Sequence, residues 1–573
     1  MPRSLTTMLR PFALSVAAVL GLGMGEGEAI TSGQRAAVFS GGACSKLVQS
    51  CTRGYTYYVN SATGNNSNSG KSFGSPLKDI TSLPAPTAGQ SVCLEAGSSW
   101  RQQLTINADG VTVAGCGAGT KPILDASDVL ANAGFTADGL GGYYTASKSF
   151  LASGQSGWVN VFEAGAAGDN AKGQFLTNVA SQALVDATAC SYYIPGLSNA
   201  SNVPASGVIY LHACDSSNPI SNGYTYEFSN RVAGLSMTSL GGVVANIEGR
   251  KPSGASGAIA LNGDGYGYLA SGVIARDGNK HVMFAPSGST VQKSTLIDAY
   301  FGPSGYANLL VFFDGTSTGK NAYSLGNIYQ VDQTGSATDG ASALIQHTGS
   351  GNFGTISSIG DWFIAKNNLP MVGIGPQNAA ALVVTGDYGS NVSAAVNFYQ
   401  PTTISNSQFV ASILPSDPLS YEANNLSLTL NNVEICAANE QHGMIVVGSF
   451  TGETLNISGG LYYINTPLGY GYVNYGITAN AAISVAMTGA RWGTAYSSQY
   501  IMMYMTAASG NAFVGANNIY EVVTGPFYAY FNNSLSYQGN WPPAGATDTG
   551  ATFPATASVA INACTLPTIP SVN

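Results

Sequence analysis

A recurrence in the second half constrains this chain more than any other feature. Ile404–Phe409 (ISNSQF), Leu430–Ile435 (LNNVEI), Ile457–Tyr462 (ISGGLY), Met487–Trp492 (MTGARW) and Val514–Ile519 (VGANNI) share one pattern. Each has an apolar residue, a small or polar turn with Asn or Gly, and an apolar residue again; their starts lie 26, 27, 30 and 27 residues apart. A period of this size, holding several short strands per repeat, predicts an all-β fold: a single chain wound as a parallel β-helix. A propeller blade needs about 40 residues. An antiparallel sandwich would carry two-residue hairpin turns at closer spacing.

Composition agrees. Only 9% of residues are charged, 72 are Gly and 10% are aromatic. A disordered chain would be charged and poor in aromatics, and helical surfaces would carry many more Lys, Glu and Arg. In a coil of strands, each strand bonds to its counterpart one rung away, so Ser, Thr, Asn and Gly suffice to solvate the outside. The net charge of −9 speaks against nucleic acid as a partner.

The first 29 residues predict a signal peptide. Arg3 and Arg10 precede an apolar run from Phe12 to Met24, and Gly27-Glu28-Ala29 supplies small residues for cleavage after Ala29. The run is too short to span a bilayer, so export with no membrane attachment after cleavage is expected. Eight cysteines suit an oxidising compartment. Neighbours close the shortest loops, which predicts Cys44–Cys51, Cys93–Cys116 and Cys190–Cys214, with Cys436–Cys564 left by elimination. No C-x-x-C pair occurs, and no motif for a cofactor is present; Ca²⁺ is a candidate without a clear ligand motif.

Three segments carry a resemblance. Tyr57–Gly70 (YYVNSATGNNSNSG), Ser75–Ile80 (SPLKDI) and Gly89–Trp100 (GQSVCLEAGSSW) resemble the opening of secreted right-handed parallel β-helix proteins of the pectate-lyase-like superfamily. Gly115–Ser127 is similar to the next rung, and Gly207–Pro219 (GVIYLHACDSSNP) to a hairpin in a β-rich insertion of such proteins. The resemblance covers roughly Tyr55 to Leu310. It implies a right-handed coil, a capping helix near Pro76–Leu83 and an extracellular polysaccharide as partner. The expected organisation is a signal peptide (1–29), an N-terminal segment (30–54), cap and first rungs (55–129), an insertion (130–228), the main coil (229–538) and an extended tail (539–573).

The densest titratable cluster is Arg276, Asp277, Lys280 and His281, followed by Lys293 and Asp298. A polysaccharide lyase removes a proton beside a uronate carboxylate and neutralises that carboxylate. Lys280 or His281 could be the base and Arg276 the neutraliser. A glycoside hydrolase needs two carboxylates; Asp277, Asp298, Asp314, Asp332 and Asp339 are the candidates. The His-and-Arg patterns of pectate lyases and the paired Asp of polygalacturonases are missing. A non-catalytic surface, matrix or adhesive solenoid therefore stands beside the enzyme as an expectation. After Lys366 the only basic residue is Arg491, against eight acids. A polyanion is repelled there, so a uronate site would have to lie near Arg276 to Lys293, whereas a neutral glycan could bind anywhere.

Overall fold

The computed structural model describes residues 54–155, 157–165, 174–197, 203–262, 267–300, 308–313, 320–331, 343–348, 354–366, 372–376, 379–392, 394–411, 418–421, 423–437, 444–447, 449–464, 474–494, 500–507, 510–522, 527–531, 534–537, 541–542, 546–553 and 568. Three long sheets run its length. Sheet A has 15 strands, from Tyr57–Val59 to Thr547–Thr549; sheet B has 13, from Ser99–Trp100 to Ile519–Val522; sheet C has 14, from Leu104–Ile106 to Ser534–Tyr537. The chain visits A, B and C in turn. Gly242–Ala245, Glu248–Arg250 and Ile259–Leu261 make one coil, and each pairs in parallel with Tyr268–Ser271, Ile274–Asn279 and His281–Pro286 of the next. This is a parallel β-helix. Among the described coil strands one pair is antiparallel, Phe527–Phe531 with Ser534–Tyr537, at the C-terminal end of sheet C.

The sequence repeat is the corner between sheets A and B. Twelve successive corners hold a residue at positive φ: Asn246, Gly272, Lys293, Gly326, Gly360, Gly386, Asn406, Asn432, Gly459, Gly489, Asn517 and Gly550, with φ from 49° to 76°. Gly has no Cβ to clash there and Asn tolerates the left-handed region, which is why Asn and Gly recur in the turn. One detail of the repeat shifts. Met487 pairs with Gly515, so the fifth repeat starts at Gly515, and Val514 points outward, 61% exposed.

The residue after each corner turns inward. In the middle coils it is polar and forms a buried line. Asn327 Oδ1 accepts from Ser294 N (2.9 Å), Asp361 Oδ1 from Asn327 N (2.7 Å), Asp387 Oδ1 from Asp361 N (3.0 Å) and Ser407 Oγ from Asp387 N (3.2 Å). These side chains satisfy donors that the tight corner leaves off the ladder. Beside this line the core is apolar, with aromatic rings stacked between coils: Tyr329 on Phe363 (5.2 Å) and Tyr462 on Trp492 (4.3 Å).

The two ends are closed differently. The expected helix near Pro76–Leu83 is a single 3-10 turn, Ile80–Ser82, whose Ile80 is buried under the first coils. Pro76 and then Pro84 and Pro86 leave no room for a longer helix. At the C-terminal end Asp548 collects Tyr520 Oη (2.6 Å), Trp541 Nε1 (3.0 Å) and Asn518 Nδ2 (3.0 Å) under a cluster of Phe513, Tyr520, Trp541 and Phe553.

Between Ile123–Asp125 of sheet B and Leu235–Met237 of sheet C the chain leaves the coil. It builds separate sheets of two, four and five strands, a helix Gln182–Ala187 capped by Ser181, and its own apolar core. Cys93–Cys116 bridges adjacent sheet A strands, and Cys190–Cys214 lies in the inserted sheets. Two such bridges are compatible with an oxidising compartment. Cys436 is disulfide-bonded to a partner outside the described residues, where Cys44, Cys51, Cys564 and the predicted signal peptide also lie. No helix among the described residues is long and apolar enough to cross a membrane.

Candidate functional site

The predicted cluster straddles the corner between sheets B and C. Arg276 and Asp277 lie midway along the sheet B strand Ile274–Asn279, and His281 opens the sheet C strand His281–Pro286. Three residues at one register position of sheet B have positive φ: Lys251, Asp277 and Asp298. Arg276 pairs with Ile297 and Gly278 with Ala299, which sets Asp277 over Asp298.

The structure brings Arg276, Asp277 and Asp298 together and buries all three, Arg276 at 1% exposure. Arg276 Nε donates to Asp277 Oδ2 at 2.8 Å and its Nη2 to Oδ1 at 3.1 Å. Burial works against the guanidinium charge, but Asp277 outweighs it and holds the arginine protonated. A uronate could reach Arg276 only by displacing Asp277. The stacked acids Asp277 and Asp298 are equally closed to a substrate, and Asp314, Asp332 and Asp339 lie outside the described residues.

The neighbouring charges are also paired. Arg250 Nε donates to Asp125 Oδ2 at 2.8 Å, and Arg231 reaches Asp128 at 2.8 Å. Arg101 and Lys251 both meet Glu227. Burial would raise the carboxyls of Asp125 and Glu227. For Asp125 the cations Arg250, Lys251 and Arg101 win, and for Glu227 Lys251 and Arg101 do, holding both below the ordinary carboxylate range. These contacts join strands of the insertion, Ser127–Leu130 and Thr225–Ser229, to the coil.

Lys280 and His281 lie on the other side of the corner. Lys280 is half-buried, and its carbonyl accepts from Asn308 N at 2.7 Å. His281 is buried; Asn308 Nδ2 donates to its Nδ1 at 3.2 Å. Burial first, and then the Lys280 charge, push its pKa down to about 3. It is a neutral ring and a weak base.

Sequence reading missed the feature next to it. Phe284 and Phe313 project outward from sheet C, both half-exposed, with ring centroids 4.2 Å apart and planes 11° apart. The His281 ring lies 5.9 Å from Phe284 at 19°. Three nearly parallel rings thus stack next to the corner, the two phenylalanines half-exposed and His281 buried. The signal was alternation: Met283 and Ala285 point in, as does Phe312, so Phe284 and Phe313 must point out. Without the register of Phe284 on Val311 their meeting was not readable. Among the described residues no group of three or more His, Cys, Asp or Glu is placed to hold a metal ion.

Neither a family model nor a curated protein matches the sequence. Solved structures do. XylC in complex with xylose aligns with a TM-score of 0.43 at 10% identity, over 82% of this chain and 75% of that one. A GH136 lacto-N-biosidase from Eubacterium ramulus aligns with a TM-score of 0.30 at 9% identity, over 89% and 68%. The tailspike gp61 of Pseudomonas phage phi297 gives 0.30 at 11%, over 75% and 70%. At such identities the comparison concerns architecture alone, and on the pairing of its own strands this chain is a parallel β-helix protein with a β-rich insertion at its second coil.

Proposed function

We propose that this chain is an exported β-helix protein that holds an extracellular polysaccharide against the outer face of sheet C. The observation that carries the reading is the parallel pair of Phe284 and Phe313. Stacked on each other, the two rings cover one face each and leave their remaining apolar surface to solvent, where the C–H faces of a sugar can pack and bury it. Asn308 and the neutral His281 ring, buried and hydrogen-bonded to each other, support the pair from the side of the corner.

Binding is favoured over lyase chemistry by the state of His281, whose low basicity suits a contact better than proton abstraction. A two-carboxylate hydrolysis would need acids from the corners, because no strand of sheet C contains Asp or Glu. The test is binding of soluble polysaccharides by affinity electrophoresis and calorimetry, with Phe284→Ala and Phe313→Ala beside the parent. Loss of binding in both variants at unchanged melting temperature supports the platform. Full binding by the double variant sinks it.

A further inference from the structure

Resting on that reading, we infer that the polysaccharide is uncharged. The fourteen strands of sheet C contain no Asp, Glu, Lys or Arg at any position. The column that holds Phe284 runs through Ser236, Ala260, Phe284 and Val311 on successive coils; Phe284 is its half-exposed member and the other three are buried. Further along the same face come Asn397, Ser420, Val446 and Thr478. What these positions leave partly exposed, Phe284, Phe313, Asn397, Ser420, Val446 and Thr478, is apolar surface, hydroxyl and amide with no fixed charge.

Charge in the coil is segregated to other faces. Its strand-borne ions sit on sheet B or, as Glu95, Glu453 and Asp548, are buried in sheet A strands. A bound carboxylate would need a cation, because removing it from water against an uncharged floor is costly. Each of the five described arginines is already in an ion pair: Arg101 with Glu227, Arg231 with Asp128, Arg250 with Asp125, Arg276 with Asp277 and Arg491 with Glu521. Taking one for a ligand would leave its own carboxylate, in most of these pairs a buried one, without a counter-ion. The buried Lys251 is likewise held by Glu227. At long range the net charge of −9 repels a polyanion as it approaches.

Lys280 is the cation nearest the aromatic pair in sequence, and it gives the test its second arm. Binding is measured for neutral polymers (mixed-linkage glucan, galactomannan, arabinan) and acidic ones (polygalacturonate, alginate), at low and high NaCl, for the parent, the Phe284→Ala/Phe313→Ala double variant and Lys280→Gln. The expected result is a preference of at least about tenfold for a neutral polymer, lost in the phenylalanine variant, unchanged in Lys280→Gln and indifferent to salt. Tighter binding of an acidic polymer that needs Phe284 and Phe313, and that weakens with salt or in Lys280→Gln, overturns the inference and leaves the platform standing. No binding to any polymer overturns both.

Discussion

Asp361 and Asp387, on neighbouring coils, converge on one hydroxyl: Ser358 Oγ lies 2.7 Å from Asp361 Oδ2 and 2.5 Å from Asp387 Oδ2. A hydroxyl has a single proton to donate, so one of these contacts requires a carboxylic acid as its donor. Both side chains are fully buried inside the coil, with Tyr329 and Ser324 on the far side of Asp361. Burial pushes the Asp361 pKa up to about 6, and burial together with the Asp361 charge pushes Asp387 well above the ordinary carboxylate range. The coil therefore holds a proton that the unfolded chain releases near pH 4.

The sign follows from linkage. Between pH 4 and the folded pKa values the native state binds more protons than the unfolded state, so stability falls as pH rises. Stability contributed by this pair is complete below about pH 4 and is lost as pH climbs through about 6. Asp387→Asn keeps a donor toward Ser358 and an acceptor for Asp361 N. It should raise stability at pH 8 by an amount on the order of 2 kcal/mol. Denaturant titrations of parent and variant from pH 4 to 8 measure it; parallel curves would refute the shared proton.

The seam to the insertion has the opposite dependence. Asp125 and Glu227 have depressed pKa values, so their contribution is present above the unfolded pKa and is lost as pH falls through the lower folded values. Acidification below about pH 4 should loosen the strands Ser127–Leu130 and Thr225–Ser229 first. Glu227→Gln should do so at neutral pH, because it strands the buried Lys251. Limited proteolysis inside residues 127–229 reports it, and equal cleavage of parent and variant at pH 7 would contradict it.

Arg276 should behave as a structural residue. Arg276→Ala leaves Asp277 buried without its partner and should cost about 3–5 kcal/mol. The double change Arg276→Met/Asp277→Asn should recover most of that loss, since Asn accepts the positive φ of 54° at this position. Unfolding midpoints decide it. If Arg276→Ala were as stable as the parent but failed to bind glycan, Arg276 would be a ligand contact after all.

Two glycines in equivalent turns should respond unequally. A Cβ on Gly460 would meet Val433 O at 2.3 Å, whereas a Cβ on Gly489 meets nothing within 4 Å. Gly489→Ala should cost only the strain of its left-handed backbone, about 1–2 kcal/mol. Gly460→Ala also forces two coils apart and should cost several times as much, or prevent folding. Thermal denaturation of the two variants separates them.

The sequence by itself determined the winding. A left-handed corner favours Gly or Asn, and a coil must repeat its corner once per turn, so the spacing of those residues announced the parallel β-helix and the corner where sheets A and B meet. Adjacency in sequence also sufficed for Cys93–Cys116 and Cys190–Cys214. Only the tertiary structure decided what each side chain faces. Arg276, Lys280, His281 and Asp298 looked like one cluster, yet the corner after Asn279 sends Arg276 and Asp298 into a buried ion-paired group and His281 onto another sheet. Phe284 and Phe313 are 29 residues apart and meet because their strands lie side by side. Inward and outward directions alternate residue by residue, and loops of unequal length between strands erase that register from the linear sequence; hydrogen bonding between coils restores it.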